Sequence, residues 1–464
     1  FGSSPGADRR VFNLFYESLL LQSQDGAFHP ALATEWEWSE DGKSITFKLR
    51  EGVTFHDGTP FNAEAAKFNL DRATDESLNS RAQEYTAILD STEVIDDYTI
   101  RLNLKSPSAA FLSILALEPA SMVSPAAVEK YGEDFPRNPV GTGPFKFESW
   151  VGDAVTASRN DDYWKVGADG ENLPYLDEVT IRAISNSAVS LTELKAGTVH
   201  MSDGIQVKDY ASIEADPNLE LTPAFRNLVQ YLAFNNKAEP FKDNPELRKA
   251  ISLAIDREKI EKAITRGQGT SPKGLMPPNS WAYSDDIVGH DYDLEAAKEA
   301  YAKSGHTGEV TLSVIQRDPD TQVAQIVQAM LKDAGINLRI EVLERAAWLD
   351  KVLTYNHEIG LLRAGLPRAD PDLSFSTYWG RDAKQDFAGI FSPTMWDLID
   401  AARVATDQEE RKRLYVEAQQ YVLDNYFQTY LYWTPSRQVV NSKLQNVQLE
   451  AGSGPLYGEI WLDQ

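Results

Sequence analysis

The chain contains no cysteine in 464 residues. That excludes disulfides, thiolate metal sites and a cysteine nucleophile. It fits an oxidising compartment without requiring one. No apolar run approaches the roughly 18 residues of a membrane-spanning helix. No basic stretch followed by an apolar one marks a signal peptide. Phe1 opens as if in mid-domain, so a leader and a first strand are expected ahead of it. Basic residues are scarce: 45 Lys and Arg stand against 70 Asp and Glu, a formal net charge of −25. Such a surface repels phosphate backbones and anionic lipid, which argues against a nucleic-acid partner. It does not fix the sign of a small ligand, because a pocket can be locally positive. The six histidines include no H-E-x-x-H and no pair at metal-ligand spacing, so neither a metal nor a cofactor is expected. No G-x-S-x-G elbow or other hydrolase signature occurs, and carboxylate pairs such as Asp285 with Asp286 read as solvated turns.

What is present is an ordinary globular composition, 42% hydrophobic and 25% charged. The length exceeds what one core supports, so two lobes are expected. Short strands alternate with amphipathic helices, the pattern of α/β architecture. Residues 44–50 and 97–104 alternate with period two around a helical array at 62–72, with Asn62 as its cap. That combination predicts a small α+β subdomain near residues 32–160. Residues 244–265 read as one helix. Glu309 to Ile315, then a helix over 321–334 ended by Gly335, then a strand over 337–342 predict a βαβ unit with parallel pairing and a right-handed crossover. Thr429 to Trp433 reads as a buried strand. Gly141-Thr142-Gly143 lacks the rest of a phosphate-loop pattern. With Pro144 behind it, it reads as a tight structural turn, and His56 reads as structural too.

Four stretches then carry a resemblance. They are residues 33–61, ending in Phe55-His56-Asp57-Gly58-Thr59-Pro60-Phe61; Asn138 to Phe145; Leu232 to Asn235 with Pro240-Phe241 and Arg248 to Arg257; and Ala369-Asp370-Pro371-Asp372. Together, in this order and spacing, they resemble the family 5 extracellular solute-binding proteins of ABC transporters: the dipeptide, oligopeptide, nickel and opine receptors. The resemblance implies a two-lobed periplasmic-binding-protein type II-like fold of cluster C, α/β in class, with the extra α+β subdomain in lobe I. Lobe I is expected over 1–235, lobe II over 236–436, with a C-terminal return to lobe I over 437–464. It further implies a monomeric, non-enzymatic periplasmic or extracytoplasmic receptor. Such a receptor holds a small polar organic ligand between its lobes by hinge closure and delivers it to an ABC permease.

Peptide-binding relatives usually carry an aspartate at the position of Pro367, which pairs with the ligand's α-ammonium group. Its absence here, with Arg363 and Arg368 nearby, points to an anionic or zwitterionic ligand, because guanidinium binds carboxylate or phosphate in bidentate fashion. Arg363 has an alternative role, pairing internally with Asp370 or Asp372. Leu366 stands where an aromatic is common. Segments that line the site in the family add Tyr16 and Glu17, Arg81 and Tyr85, Asp203 and Gly204, and Arg226 and Asn227. They also add Trp281, Arg345, Trp348 and Trp379. Each of these aromatics has core packing as its alternative. The expected ligand is an opine-like conjugate, a modified amino acid or a short peptide. A conventional di- or oligopeptide comes next, then a nickel chelate. The readings from other classes are a carboxylate-dependent hydrolase and a periplasmic chaperone or signalling receptor.

Overall fold

The computed structural model describes residues 5–23, 26–75, 78, 86–224, 228–278, 280–365, 370–383, 385–434, 437–450 and 454–463. The chain divides into two compact units. One is Phe1–Phe225, Pro367–Asp370 and Arg437–Gln464; the other is Arg226–Leu366 and Pro371–Ser436.

The first unit opens with helix α1 (Pro5–Phe15). A four-stranded antiparallel sheet follows, ordered β1 (Ala33–Trp38), β2 (Ser44–Leu49), β4 (Thr99–Leu104), β3 (Leu89–Asp96). Helix α2 (Ala63–Thr74) lies between β2 and β3 in the chain. Asn62 caps it by accepting a hydrogen bond from the Ala65 amide at 3.0 Å. Burial alternates along β2, so Ile45, Phe47 and Leu49 face the core. A second antiparallel sheet joins β5 (Phe145–Val151), β6 (Ala154–Arg159) and β7 (Glu178–Arg182). A third places the late strand Arg437–Asn441 between Met201–Ser202 and Leu219–Pro223.

The second unit is built on a five-stranded mixed sheet. Its first strand, β8 (Leu228–Phe234), lies within the span the sequence assigned to lobe I. Its hydrogen bonds go instead to two strands of the second unit, so it belongs here. The single helix expected over 244–265 is two, α3 (Pro245–Leu253) and α4 (Arg257–Thr265). The cause is Asp256, whose carboxylate accepts from the Lys259 amide at 3.0 Å and starts a new helix. The expected βαβ unit is present as β9 (Glu309–Ile315), α5 (Asp320–Asp333) and β10 (Asn337–Leu343), parallel in register from Glu309 opposite Asn337. After α6 (Arg345–Leu353) the chain enters β11 (Ile359–Gly365), also parallel to β9. With β12 (Gln428–Thr434) the sheet runs β10-β9-β11-β8-β12.

Strand β9 is buried on both faces, as a central parallel strand must be. Val310, Leu312 and Val314 pack with Val323, Val327 and Leu331 of α5. Ile315 joins Trp348 and Val352 of α6 in a separate core. Among the described residues no helix is long and apolar enough to cross a membrane.

Candidate functional site

In the first unit, the segment after α1 docks against the Gly141–Pro144 turn. The Gly143 amide donates to the Phe15 carbonyl at 2.9 Å. A Cβ at position 141 would lie 2.1 Å from that carbonyl oxygen and 2.5 Å from Cδ1 of Tyr16, so only glycine fits. His56 clamps the same turn: Nδ1 accepts from the Gly141 amide at 3.3 Å, and Nε2 lies 2.9 Å from the Gly143 carbonyl. Because Nδ1 accepts, Nε2 carries the proton. Burial lowers the His56 pKa to about 4.

Glu17 sits beside this turn and takes three donors: Thr142 Oγ1 at 2.8 Å, the Tyr163 hydroxyl at 2.8 Å and Trp164 Nε1 at 2.9 Å. Burial raises its pKa, and the three hydrogen bonds oppose that rise. A cavity of about 80 Å³ adjoins the group, bounded by Tyr457 and by the Lys165–Glu459 ion pair at 2.5 Å. Both Tyr16 and Glu17 line this cavity; the Glu17 carboxylate, half-buried, is a structural acceptor, and Tyr16, 7% exposed, packs into the core.

In the second unit the chemistry gathers at one end of the sheet. Strands β9, β10 and β11 run parallel, and each is followed or closed by an arginine at its carboxyl end: Arg317, Arg345 and Arg363. Ligands of open α/β sheets bind outside those strand ends. Asp320, the first residue of α5, is fully buried and is shared by two of the arginines. Arg317 Nε donates to its Oδ2 at 2.8 Å, and Arg363 Nη2 donates to its Oδ1. Arg363 also donates through Nε to Gln230 Oε1 at 2.8 Å and through Nη2 to the Asp318 carbonyl at 3.4 Å. The Arg317 pKa is lowered, first by burial and then by the charge of Arg363, with a smaller push from Arg345. Among the described residues, one buried carboxylate thus serves two guanidiniums, in a molecule that is strongly acidic as a whole.

The expected internal partner of Arg363 was Asp370 or Asp372; it is Asp320, because β11 lies next to β9. Asp372 is 3.3 Å from Arg403 Nε. Asp370 is buried. Trp379 is a core residue, 1% exposed and edge-on to Phe375. Trp348 is buried as well, its Nε1 donating to the Ser313 carbonyl at 3.4 Å. Trp281 is half-buried, edge-on to Tyr415, with the Arg411 guanidinium over its ring at 5.1 Å. For these three tryptophans packing is the observed role. Asp203 pairs with Arg10 at 2.6 Å, and the Gly204 amide donates to Ser202 Oγ at 3.3 Å. Arg81, Tyr85, Arg226, Asn227, Leu366 and Arg368 lie outside the described residues. The sequence reading missed Arg317, Asp320 and Gln230. Two of them follow directly on the first strand of the βαβ unit, and that position was the available signal. Among the described residues no cluster of histidine and carboxylate ligands could hold a metal.

A sequence profile described as "Bacterial extracellular solute-binding proteins, family 5 Middle" matches residues 27–386. The glutathione-binding protein GsiB of Escherichia coli O6:K15:H31 is 34% identical over 338 residues, 72% of this chain. That match spans 65% of GsiB, just under two thirds of its length. The periplasmic binding protein DppA of Helicobacter pylori, solved in complex with peptide STSA, superposes with a TM-score of 0.85 at 28% identity, covering 100% of this chain and 95% of that one. AgaA of A. tumefaciens R10, in complex with agropinic acid, gives 0.83 at 28% identity, covering 100% and 96%.

Proposed function

The chain belongs to the family 5 bacterial extracellular solute-binding proteins, and on that footing we propose that it is the extracytoplasmic receptor of an ABC importer for a small anionic or zwitterionic organic molecule. The ligand class is an opine-like conjugate, a modified amino acid or a short peptide with a free carboxylate. The receptor acts by binding and release, without chemistry on its cargo. It works as a monomer in the periplasm or its equivalent and hands the ligand to a membrane permease.

The arginine group at the carboxyl ends of β9, β10 and β11 carries this reading. Arg317 and Arg363 share one buried carboxylate, so an oxyanion placed against them completes the charge balance and accepts N–H groups in a forked geometry. The named ligands of the relatives fit that chemistry: glutathione, a peptide and agropinic acid all carry carboxylates. A conventional di- or oligopeptide is the second reading, supported by DppA with its bound STSA. Against it stands Pro367 in place of an aspartate, so a peptide's α-ammonium group would need another carboxylate.

Isothermal calorimetry and thermal shift against glutathione, dipeptides, amino-acid–sugar conjugates, phosphorylated sugars and nickel–histidine test the proposal. A true ligand at about 100 times its Kd adds roughly 2.7 kcal/mol of stability. Arg317→Gln is expected to weaken a carboxylate ligand by about 2–5 kcal/mol. Unchanged affinity in that variant removes the arginine group from the site.

A further inference from the structure

We propose that the side-chain amide of Gln230 donates to the captured molecule, so that the receptor selects an oxyanion with a second oxygen acceptor set beside it, as in an N-acylated amino acid or the C-terminal end of a peptide. This rests on the arginine reading above and sharpens it. Gln230 is the only polar residue buried in β8 apart from the ring hydroxyl of Tyr231; its neighbours are Leu228, Val229, Leu232, Ala233 and Phe234. It stands in register with Arg363 on one side and Tyr432 on the other. The register against β12 shifts between Gln230 and Tyr231, an irregularity of the kind that re-aims a side chain.

The orientation of the amide is fixed. Arg363 Nε can only donate, so the atom 2.8 Å from it is the Gln230 oxygen. The nitrogen is therefore the amide atom not engaged by Arg363 Nε, and it remains available to donate. Gln230 is fully buried, and its Nε2 has no hydrogen-bond partner among the described residues. A sealed amide donor with nothing to donate to is destabilising, and the Arg363 contact needs only the oxygen. Exposure grades outward from it, from 0% at Gln230 to 20% for the Arg363 side chain and 42% for that of Arg317. Gln230 is the floor of the arginine group, and an acceptor seated against Arg363 is the partner its free N–H lacks.

The test uses the full chain with Gln230→Met, which keeps length and removes both polar atoms, and Gln230→Glu, which keeps the Arg363 contact and removes the donor. In the ligand-free protein Gln230→Glu, which keeps the acceptor for Arg363 Nε, is expected to leave the Tm unchanged or raise it. A fall of several degrees would mean that Nε2 is satisfied within the fold by water, which overturns the proposal. Binding is then measured by calorimetry with glutathione, a dipeptide and agropinic acid as probes. At least a tenfold loss is expected in both Gln230 variants for a probe that wild type binds. Affinity within twofold of wild type in Gln230→Met, with binding lost in Arg317→Gln, overturns the role of Gln230 and leaves the arginine reading standing. Affinity retained in all three variants, or no binding of any probe to wild type, overturns both.

Discussion

At the scale of single residues, the same chemical type does opposite work in different places. Glu17 was a candidate ligand anchor, yet it receives three donors from Thr142, Tyr163 and Trp164. Glu17→Gln replaces one acceptor oxygen with a donor, so the charge-assisted character of all three contacts is lost and the Tyr163 hydroxyl must turn from donor to acceptor to keep its own. A loss of about 1–3 kcal/mol in urea unfolding is expected, with ligand affinity unchanged. A change in affinity at constant stability would return Glu17 to the binding site.

His357 bears on pH. It is buried, with Nε2 3.0 Å from the Phe387 carbonyl, and burial lowers its pKa from 6.5 to about 4. His56 and His290 are lowered to about 4 by the same cause. The folded pKa lies below the unfolded one, so the unfolded state binds more protons in this window. Stability is intact above pH 6.5 and declines as pH falls toward 4, by about 3 kcal/mol for His357 at the acid end. Asp386 works the other way, since burial raises its pKa from 3.8 to about 6 and its contribution is lost as pH rises through that range. Three histidines against two carboxylates raised by burial, Asp386 and Glu17, predict a lower urea midpoint at pH 5 than at pH 7, and a shallower difference in His357→Gln. A midpoint higher at pH 5 would show that the carboxylates outweigh them.

At the scale of elements, the glycine turn is the sharpest case. Because a Cβ at Gly141 would meet a backbone oxygen as well as the buried ring of Tyr16, Gly141→Ala has no cheap relaxation. Expected destabilisation is at the upper part of the roughly 1–3 kcal/mol typical of overpacking, read as a fall in Tm; an unchanged Tm would mean that the Phe15 segment can move. The turn itself was legible from Gly and Pro. So were the βαβ unit, from its two periodicities and Gly335, and the buried strand β12, from its aromatic run. The break between α3 and α4 was not, because Asp256 falls inside a continuous apolar periodicity and only its cap geometry separates the helices. The arginine group was half legible. Arg363 stood out beside a family motif, but its partner Asp320 is 43 residues away and meets it only because β11 pairs with β9. Local spacing carries no trace of that neighbour. For the same reason the sequence could not sort the tryptophans, of which Trp348 and Trp379 are core residues: one in a core and one in a binding cleft have the same sequence surroundings.

At the scale of the molecule, charge sets a contest. The chain carries a formal −25, while at the strand ends Arg317 and Arg363 share the single carboxylate of Asp320. The Debye length is about 30 Å at 0.01 M salt and about 8 Å at 0.15 M. At low salt an approaching anion feels the whole acidic surface, and at physiological salt only its immediate surroundings. Association of a carboxylate ligand is therefore expected to accelerate several-fold between these conditions in stopped-flow fluorescence, the reverse of ordinary electrostatic steering. A rate that falls with salt would show that the local positive field prevails even at long range.

The strand Arg437–Asn441 occupies the middle of its sheet, between partners more than 200 residues earlier in the chain. That position imposes an order of events during synthesis. The five-stranded sheet of the second unit has all its strands once Thr434 has been made. The three-stranded sheet of the first unit has no centre until residue 441 exists, so its two outer strands wait with open edges while the rest of the protein is built. Unpaired edges held for that long are where premature association begins. Premature association of the growing chain is therefore expected to begin at Met201–Ser202 and Leu219–Pro223.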